Sequence, residues 1–397
     1  MEDNKKFWKG ALLGALITLA VIAAGNGLLQ IAHVKGVNLF GSIQQSMKTR
    51  QKLDQIQDII DTYYLYEDEV DEEALREGVY AGYVEALGDP YSVYYTKEEK
   101  EALLEGIEGT YTGIGAAMLQ NAETGEVVVS KVYDDSPAEE AGMKSGDIIY
   151  QVDDRMIGSE TLEEVVTWIR GEEGTDVALH ILREGEELTL TATRRQLEVP
   201  TVEAEMKDDQ TGYIYVSEFD TVTLGQFEKA LKELETQGMQ GLIIDLRGNP
   251  GGNVVTVTEM LKLLLPKGTI LTVKDKNGDV QEYKSDGAHE FTKPLVVLVN
   301  QYSASASEIF AGAVKDYGVG KIVGKTTFGK GIVQNVIGLQ DGSAMKITMA
   351  EYFTPSGKSI HKKGVTPDVE VEYEADPEDP LADNQLERAL EVIKEQL

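Results

Sequence analysis

"PLVVLVNQYSASASEIFAGA" (Pro294–Ala313) joins an unbroken apolar run to a turn with three alternating serines and then to a second apolar stretch. A run apolar at consecutive positions suits a strand covered on both faces, as in a parallel sheet sandwiched by helices. "GLIIDLRGNPGGN" (Gly241–Asn253) repeats the pattern, with a strand, a glycine loop and then the helical "VVTVTEMLKLLL" (Val254–Leu265). Further out, "TGYIYVSEF" (Thr211–Phe219) reads as a strand and "TLGQFEKALKELETQG" (Thr223–Gly238) as a helix. Alternation of this kind over residues 197–373 predicts an α/β domain with a mixed, largely parallel sheet. A charged amphipathic helix, Asn384–Leu397, closes a tail of residues 374–397 and reads as a packing or subunit element.

Upstream, residues 106–196 change texture to short strands with glycine turns: "YTGIGAAM" (Tyr111–Met118), "GEVVVSKVY" (Gly125–Tyr133) and "DVALHILREGEELTLTATR" (Asp176–Arg194). "SPAEEAGMKSGDIIYQVD" (Ser136–Asp153), a capped short helix, a glycine turn and a strand, makes this unit resemble a PDZ domain, a β-rich fold with the helix "LEEVVTWIRG" (Leu162–Gly171). Residues 46–105 read as helical. Leu53, Ile56, Ile59, Ile60 and Tyr63 recur at helical spacing, and a second helix over Glu72–Leu87 stops at "GDP" (Gly88–Pro90). The tyrosines crowded here, Tyr91 among them, are assigned to packing in the core or at a subunit contact of a homo-oligomer.

The N-terminus is of another kind. Lys5, Lys6 and Lys9 precede an uncharged stretch from Gly10 to Ala32. A bilayer needs roughly 20 apolar residues, more than the about 7–15 of a signal-peptide core. Residues 1–35 are therefore expected to form a cytoplasmic stub and a single membrane helix, with the rest of the chain on the extracytoplasmic side. A cleaved signal peptide at Ala23-Ala24-Gly25 is the competing reading. The net charge of −32, with 69 acidic against 37 basic residues, would repel a phosphate backbone, so nucleic acid is not expected as a partner. The chain has no cysteine, which excludes disulfides, thiol nucleophiles and thiolate metal sites.

The serine turn admits two readings. "SASE" (Ser305–Glu308) fits a capping box, in which hydroxyl and carboxylate satisfy free helix amides. A serine between the end of a parallel strand and a helix start also lies where open α/β sheets bind ligands, and where free N–H groups favour a developing anion. A nucleophilic serine needs a base. His33, His180 and His289 are poorly placed for this, and His361 in "SGKSIHKKG" is held in reserve. Lys330, between two glycines in "GKTTFGKGIVQN" (Gly324–Asn335), is the other option. It serves only when neutral, so burial must lower its pKa from about 10.4. The "GKT" here is not a phosphate loop, because Val319 stands where that motif wants glycine.

"LRGNPGG", "SASASEIFAGA", "GKTTFGKGIVQ" and "YFTPSGKSIHKKGVTPD", in this order and with the PDZ-like unit, resemble the carboxyl-terminal processing (tail-specific) serine proteases from Leu53 to Asp368. The resemblance implies a Ser-Lys dyad assisted by glutamine, falling on Ser305, Lys330 and Gln334. It implies an oxyanion hole from a glycine of the "RGNPGG" loop, Gly251, together with the amide of Ala306. In a flat strand Lys330 and Gln334 would stand about 13 Å apart, so their contact needs a bend near Gly329 or Gly331. The implied activity is an endopeptidase acting near the C-terminal tails of proteins or peptides, here anchored by the apolar N-terminus, and no metal or cofactor is expected because the sequence shows no ligand cluster. Gly113, Ile114, Gly115 and Ala116 would receive a substrate's carboxylate, and Arg170 is the expected gating residue, with plain helix-end charge compensation as its alternative.

Overall fold

All five residues of the strand Leu295–Val299 are buried, as a strand covered on both faces must be. The computed structural model describes residues 39–122, 124–289, 291–379 and 382–397. This strand lies inside a six-stranded sheet ordered Val202–Met206, Thr211–Val216, Gly241–Asp245, Leu295–Val299, Lys321–Gly324, Val369–Glu370. Only the first pair is antiparallel, and the remaining four pairings are parallel. Side chains alternate between faces. Ile214, Leu242, Ile244 and Val297 pack against Phe227, Val257 and Phe310 of the helices Thr223–Thr236, Val254–Lys262 and Ala306–Tyr317. Ile243, Val296 and Leu298 face the other way, onto Ala389, Val392 and Ile393 of the helix Asn384–Lys394. Burying Val392 and Ile393 contributes about 1.5–3 kcal/mol each, so the C-terminal helix is an integral layer of the sandwich.

A second sheet, absent from the sequence reading, is antiparallel throughout. It is built from Gly268–Asp275, Val280–Ser285, Ile332–Gly338 and Ala344–Phe353, with Val93–Tyr95 added at one edge. The hairpin between its first two strands turns at Asp275–Asp279, where Asn277 and Gly278 suit a tight reversal. Val93–Tyr95 falls inside the span read as helical, and it pairs with Ala344–Lys346.

The PDZ-like unit is a separate antiparallel sheet of six strands with the helix Leu162–Ile169 against it. Val129, Ile149, Val165, Ile169, Leu179 and Ile181 form its own core. The chain enters through Thr110–Gly113 and leaves through Arg195–Glu198, which pair with each other, and the Val199 N–H donates to the Gly109 carbonyl at 2.8 Å.

The described chain divides into two units at Gly78–Val79. The first holds the helix Leu39–Tyr63, on which Leu53, Ile56 and Ile59 are exposed. Among the described residues no helix is long and apolar enough to cross a membrane. The expected anchor within residues 1–35 lies outside them.

Candidate active site

The three serines of the turn have different fates. Ser303 is fully buried and its hydroxyl donates to the Leu246 carbonyl at 2.8 Å. The Ser307 hydroxyl, also buried, donates to the Asn249 carbonyl at 3.0 Å. Both hydroxyls therefore tie the turn to the neighbouring glycine loop. Ser305 is the partly exposed one, at the point where the strand's polypeptide doubles into the helix Ala306–Tyr317. Its backbone sits at φ 53°, ψ −109°, a conformation that costs a non-glycine residue about 1–3 kcal/mol and persists only where the surroundings enforce it.

Two buried side chains do the enforcing. The Glu308 carboxylate, with no exposed surface, accepts from the Ser305 N–H at 2.9 Å and the Lys330 N–H at 2.7 Å on one oxygen. Its other oxygen accepts from the Gly329 N–H at 2.7 Å and the Thr327 hydroxyl at 2.6 Å. The Glu308 N–H, meanwhile, donates to the Ser305 carbonyl. The sequence reading of Glu308 as a cap therefore covers one of its four acceptances. Tyr352, 1% exposed, places its hydroxyl 2.9 Å from the Ser305 carbonyl and 2.7 Å from that of Lys330. Burial, and then the Glu308 charge, push the phenol well above its ordinary pKa, so it remains a donor. Serine and lysine are thus joined through their backbones by one carboxylate and one phenol.

The Lys330 side chain is half-buried. Burial pushes its ammonium below the ordinary value and Lys346 pushes the same way, against the opposing charges of Glu308 and Asp89. Its Nζ lies 4.6 Å from the centroid of the Tyr91 ring. Among the described residues no hydrogen bond links Lys330 Nζ to the Ser305 hydroxyl or to Gln334. Gln334 lies in the strand Ile332–Gly338 just after a register shift between Val333 and Gln334, and its amide donates to the Thr348 hydroxyl at 3.2 Å. His361 approaches the lysine loop through its backbone, since a Cβ on Gly331 would stand 2.6 Å from the His361 nitrogen. Its Nδ1 is buried without a partner among the described residues.

Beside the serine lies the "RGNPGG" loop. Gly251, at φ 112°, approaches so closely that a Cβ would stand 2.8 Å from Ser305 Cβ and from the Ala304 carbonyl. Only glycine fits there. The Gly251 N–H donates to Asn249 Oδ1 at 2.8 Å, so its use as an oxyanion donor requires that bond to open. Ala306 is buried at the start of the helix, with its amide among the first-turn N–H groups that a helix leaves without an internal partner. Asn249, wholly buried, also accepts the Ala304 N–H on its carbonyl. Arg247 anchors the loop from the far side, its guanidinium bonding Asp245, Asp383 and Gln385. Sequence reasoning missed Asn249, Tyr352 and the Asp383 tether; only the unbroken "RGN" after a buried strand hinted at the first.

In the PDZ-like unit, Ile114 is buried in the core and its carbonyl accepts from the Ala138 N–H at 2.8 Å. Gly115, at φ 79°, passes so near Ser136 that a Cβ would stand 2.4 Å from it, and its carbonyl accepts from Tyr133. Gly113 ends the entry strand and Ala116 begins the next. Arg170, exposed at the end of the helix Leu162–Ile169, lies over the Tyr111 ring at 5.3 Å, two residues before Gly113. Glycine segment and arginine therefore meet through Tyr111.

Comparison with known proteins follows the same divisions. The model of peptidase family S41 matches residues 210–371, that of the PDZ domain matches 128–183, and that of the activating protease CtpB N-terminal domain matches 26–99. Carboxy-terminal processing protease CtpB of Bacillus subtilis (strain 168) is 36% identical over 372 residues, covering 89% of this chain and 77% of the relative. CtpA of the same organism is 38% identical over 309 residues, 77% of this chain and 66% of the relative. Among solved structures, an S41 protease of Bacteroides fragilis NCTC 9343 aligns with TM-score 0.52 at 16% identity, covering 86% of this chain and 97% of that one, a likeness of fold.

Proposed function

Because the chain belongs to the S41 family of carboxy-terminal processing proteases and is a serine-type peptidase with a PDZ domain, we propose that it cuts polypeptides near their C-termini with a Ser305–Lys330 dyad. The observation that carries this reading is the different use of the three serines. Ser303 and Ser307 are spent on backbone carbonyls, and Ser305 is held in a strained turn by groups that also hold Lys330. In the proposed cycle neutral Lys330 takes the Ser305 proton as the oxygen attacks the scissile carbonyl. The Ala306 amide and a glycine amide of the Gly251–Gly252 turn receive the oxyanion. Lys330 then protonates the leaving amine and activates the water that releases the acyl group. Gln334 orients the lysine, and the bulge beside it supports that assignment by turning the strand.

The PDZ domain would add the substrate tail as a strand along Gly113–Ala116, with Arg170 passing occupancy to the catalytic domain. The uncharged stretch Gly10–Ala32 behind three lysines supports a single-pass anchor, with the enzyme on the extracytoplasmic side. The exposed Leu53, Ile56 and Ile59 support a homo-oligomer. The deciding experiment is cleavage of an unstructured peptide with a free C-terminus. Ser305→Ala should lose cleavage entirely, while Ser303→Ala and Ser307→Ala should retain it at reduced stability. An active Ser305→Ala protein would end the proposal.

A further inference from the structure

Tyr91 does not belong to the catalytic sequence motifs, yet it is the aromatic ring that meets the lysine. It is carried by the turn Asp89–Ser92, which enters the edge strand Val93–Tyr95. That turn is firmly built. The Asp89 carboxylate accepts from the Tyr91 N–H at 3.1 Å and from the Ser92 hydroxyl at 2.6 Å. The Ser92 hydroxyl in turn accepts from the Thr348 N–H at 3.1 Å, and the Thr348 hydroxyl accepts from Gln334. The turn that carries the ring is therefore fixed against the strand Ala344–Phe353, which also pairs with the strand of Gln334. Val93 pairs with Lys346, whose own Nζ lies 5.3 Å from the Tyr95 ring. Two lysines stand side by side, each over a tyrosine of one short segment.

An aromatic face attracts an ammonium through its quadrupole and has no such hold on a neutral amine. The contact between Tyr91 and Lys330 thus favours the form of the lysine that cannot act as a base. We propose that Tyr91 is a positioning residue that parks protonated Lys330 away from Ser305 and sets the pH at which the base is released. This rests on the reading of Lys330 as the base. The charged groups facing Lys330 come from three further elements: Lys346 on the strand Ala344–Phe353, Glu308 on the helix Ala306–Tyr317, and Asp89 on the turn itself. Lys346 and burial favour the neutral amine; Glu308, Asp89 and the Tyr91 ring favour the ammonium. Tyr91 is the member of this set that can be changed without altering any formal charge. When the Lys330 ammonium loses a proton to solvent, the neutral amine is freed from the ring to swing to the Ser305 hydroxyl.

The test is the pH dependence of kcat/KM in the full chain, with a peptide carrying a free C-terminus, for Tyr91→Leu and Tyr91→Phe. Removing the ring should move the acidic limb down by about half to one pH unit, so that below the limb Tyr91→Leu is about three- to tenfold faster than the native protein. Tyr91→Phe keeps the ring face and should leave the limb where it was. A loop support with no bearing on charge would lower the plateau and leave the limb in place. Tyr91→Met serves as a second ringless variant should Tyr91→Leu fail to fold. An unmoved or raised limb, an equal shift in Tyr91→Phe, or inactivity of both folded ringless variants at every pH overturns the proposal. Lys330→Ala separates the two levels. If it is active, the base assignment itself falls; if it is inactive while the ringless limb stays put, only the role of Tyr91 falls.

Discussion

Replacing Glu308 by glutamine preserves shape and removes charge, and its cost can be worked from the four donors that converge there. A carboxamide presents one oxygen, which can still serve the two donors on one side. Its NH2 then faces the other two, donor against donor. If the oxygen stays with Gly329 and Thr327, the N–H groups of Ser305 and Lys330 lose their acceptor. Two buried donors left unsatisfied cost about 1–3 kcal/mol each, and the two retained bonds weaken on losing their charge assistance. A total of about 4 kcal/mol follows, a drop of roughly 10 °C in Tm for a domain of this size. The loss falls on the backbone of both Ser305 and Lys330, so under the proposed mechanism kcat should fall about 100-fold, the scale expected when reacting groups shift by an ångström. Thermal unfolding of the full chain, paired with peptide cleavage at saturating substrate, measures both. A Glu308→Gln protein within 1 kcal/mol of native stability and with native kcat would refute the reasoning. A stability loss of about 1 kcal/mol with kcat intact would reduce Glu308 to an ordinary helix cap.

Lys330→Ala should be as inactive as Ser305→Ala, whereas His361→Ala should keep most of its activity; equal losses in both would dismantle the dyad. Because burial depresses the Lys330 pKa in the folded protein, the neutral base is present above that lowered value and disappears as pH falls through it. Cleavage should therefore decline on acidification with a single-proton slope, and a rate that rises toward low pH would contradict the assignment. Amidating a substrate's terminal carboxylate should slow its cleavage, and Arg170→Ala should change turnover more than it changes tail affinity measured by peptide titration. Indifference to amidation would show that the PDZ domain does not read the terminus.

The parallel sheet was legible because its signal is local. Leu295–Val299 is apolar at every position and Gly241–Asp245 at all but its last, a pattern an amphipathic strand cannot have. The antiparallel sheet was not, since its strands are half-exposed: Val280–Ser285 buries only its last residue, and no period announces it. Motif resemblance singled out Ser305, but the physical ground for preferring it over Ser303 and Ser307 is who else takes the hydroxyls. Those takers, Leu246 and Asn249, sit on a different loop more than fifty residues away in sequence. Glu308 illustrates the same limit, because its remaining donors lie about twenty residues downstream and a carboxylate in a helix's first turn looks like a cap. Tyr91 was grouped with a crowd of packing tyrosines, since a ring's orientation toward a distant lysine leaves no mark on its neighbours in sequence.

The edge strand Val93–Tyr95 has a consequence in time. A ribosome delivers it early, but its partner Ala344–Lys346 emerges only after the PDZ domain, both serine-bearing and lysine-bearing loops, and most of the parallel sheet have been made. Until then Tyr91 has no fixed place and the lysine no ring beside it. Tyr352, whose hydroxyl reaches the Ser305 and Lys330 carbonyls, arrives later still, and Asp383 last of all. The phenol and the Asp383 tether are thus synthesised after Ser305, Glu308 and Lys330, so a chain still being translated carries the serine, the lysine and their shared carboxylate before the clamp that closes over them.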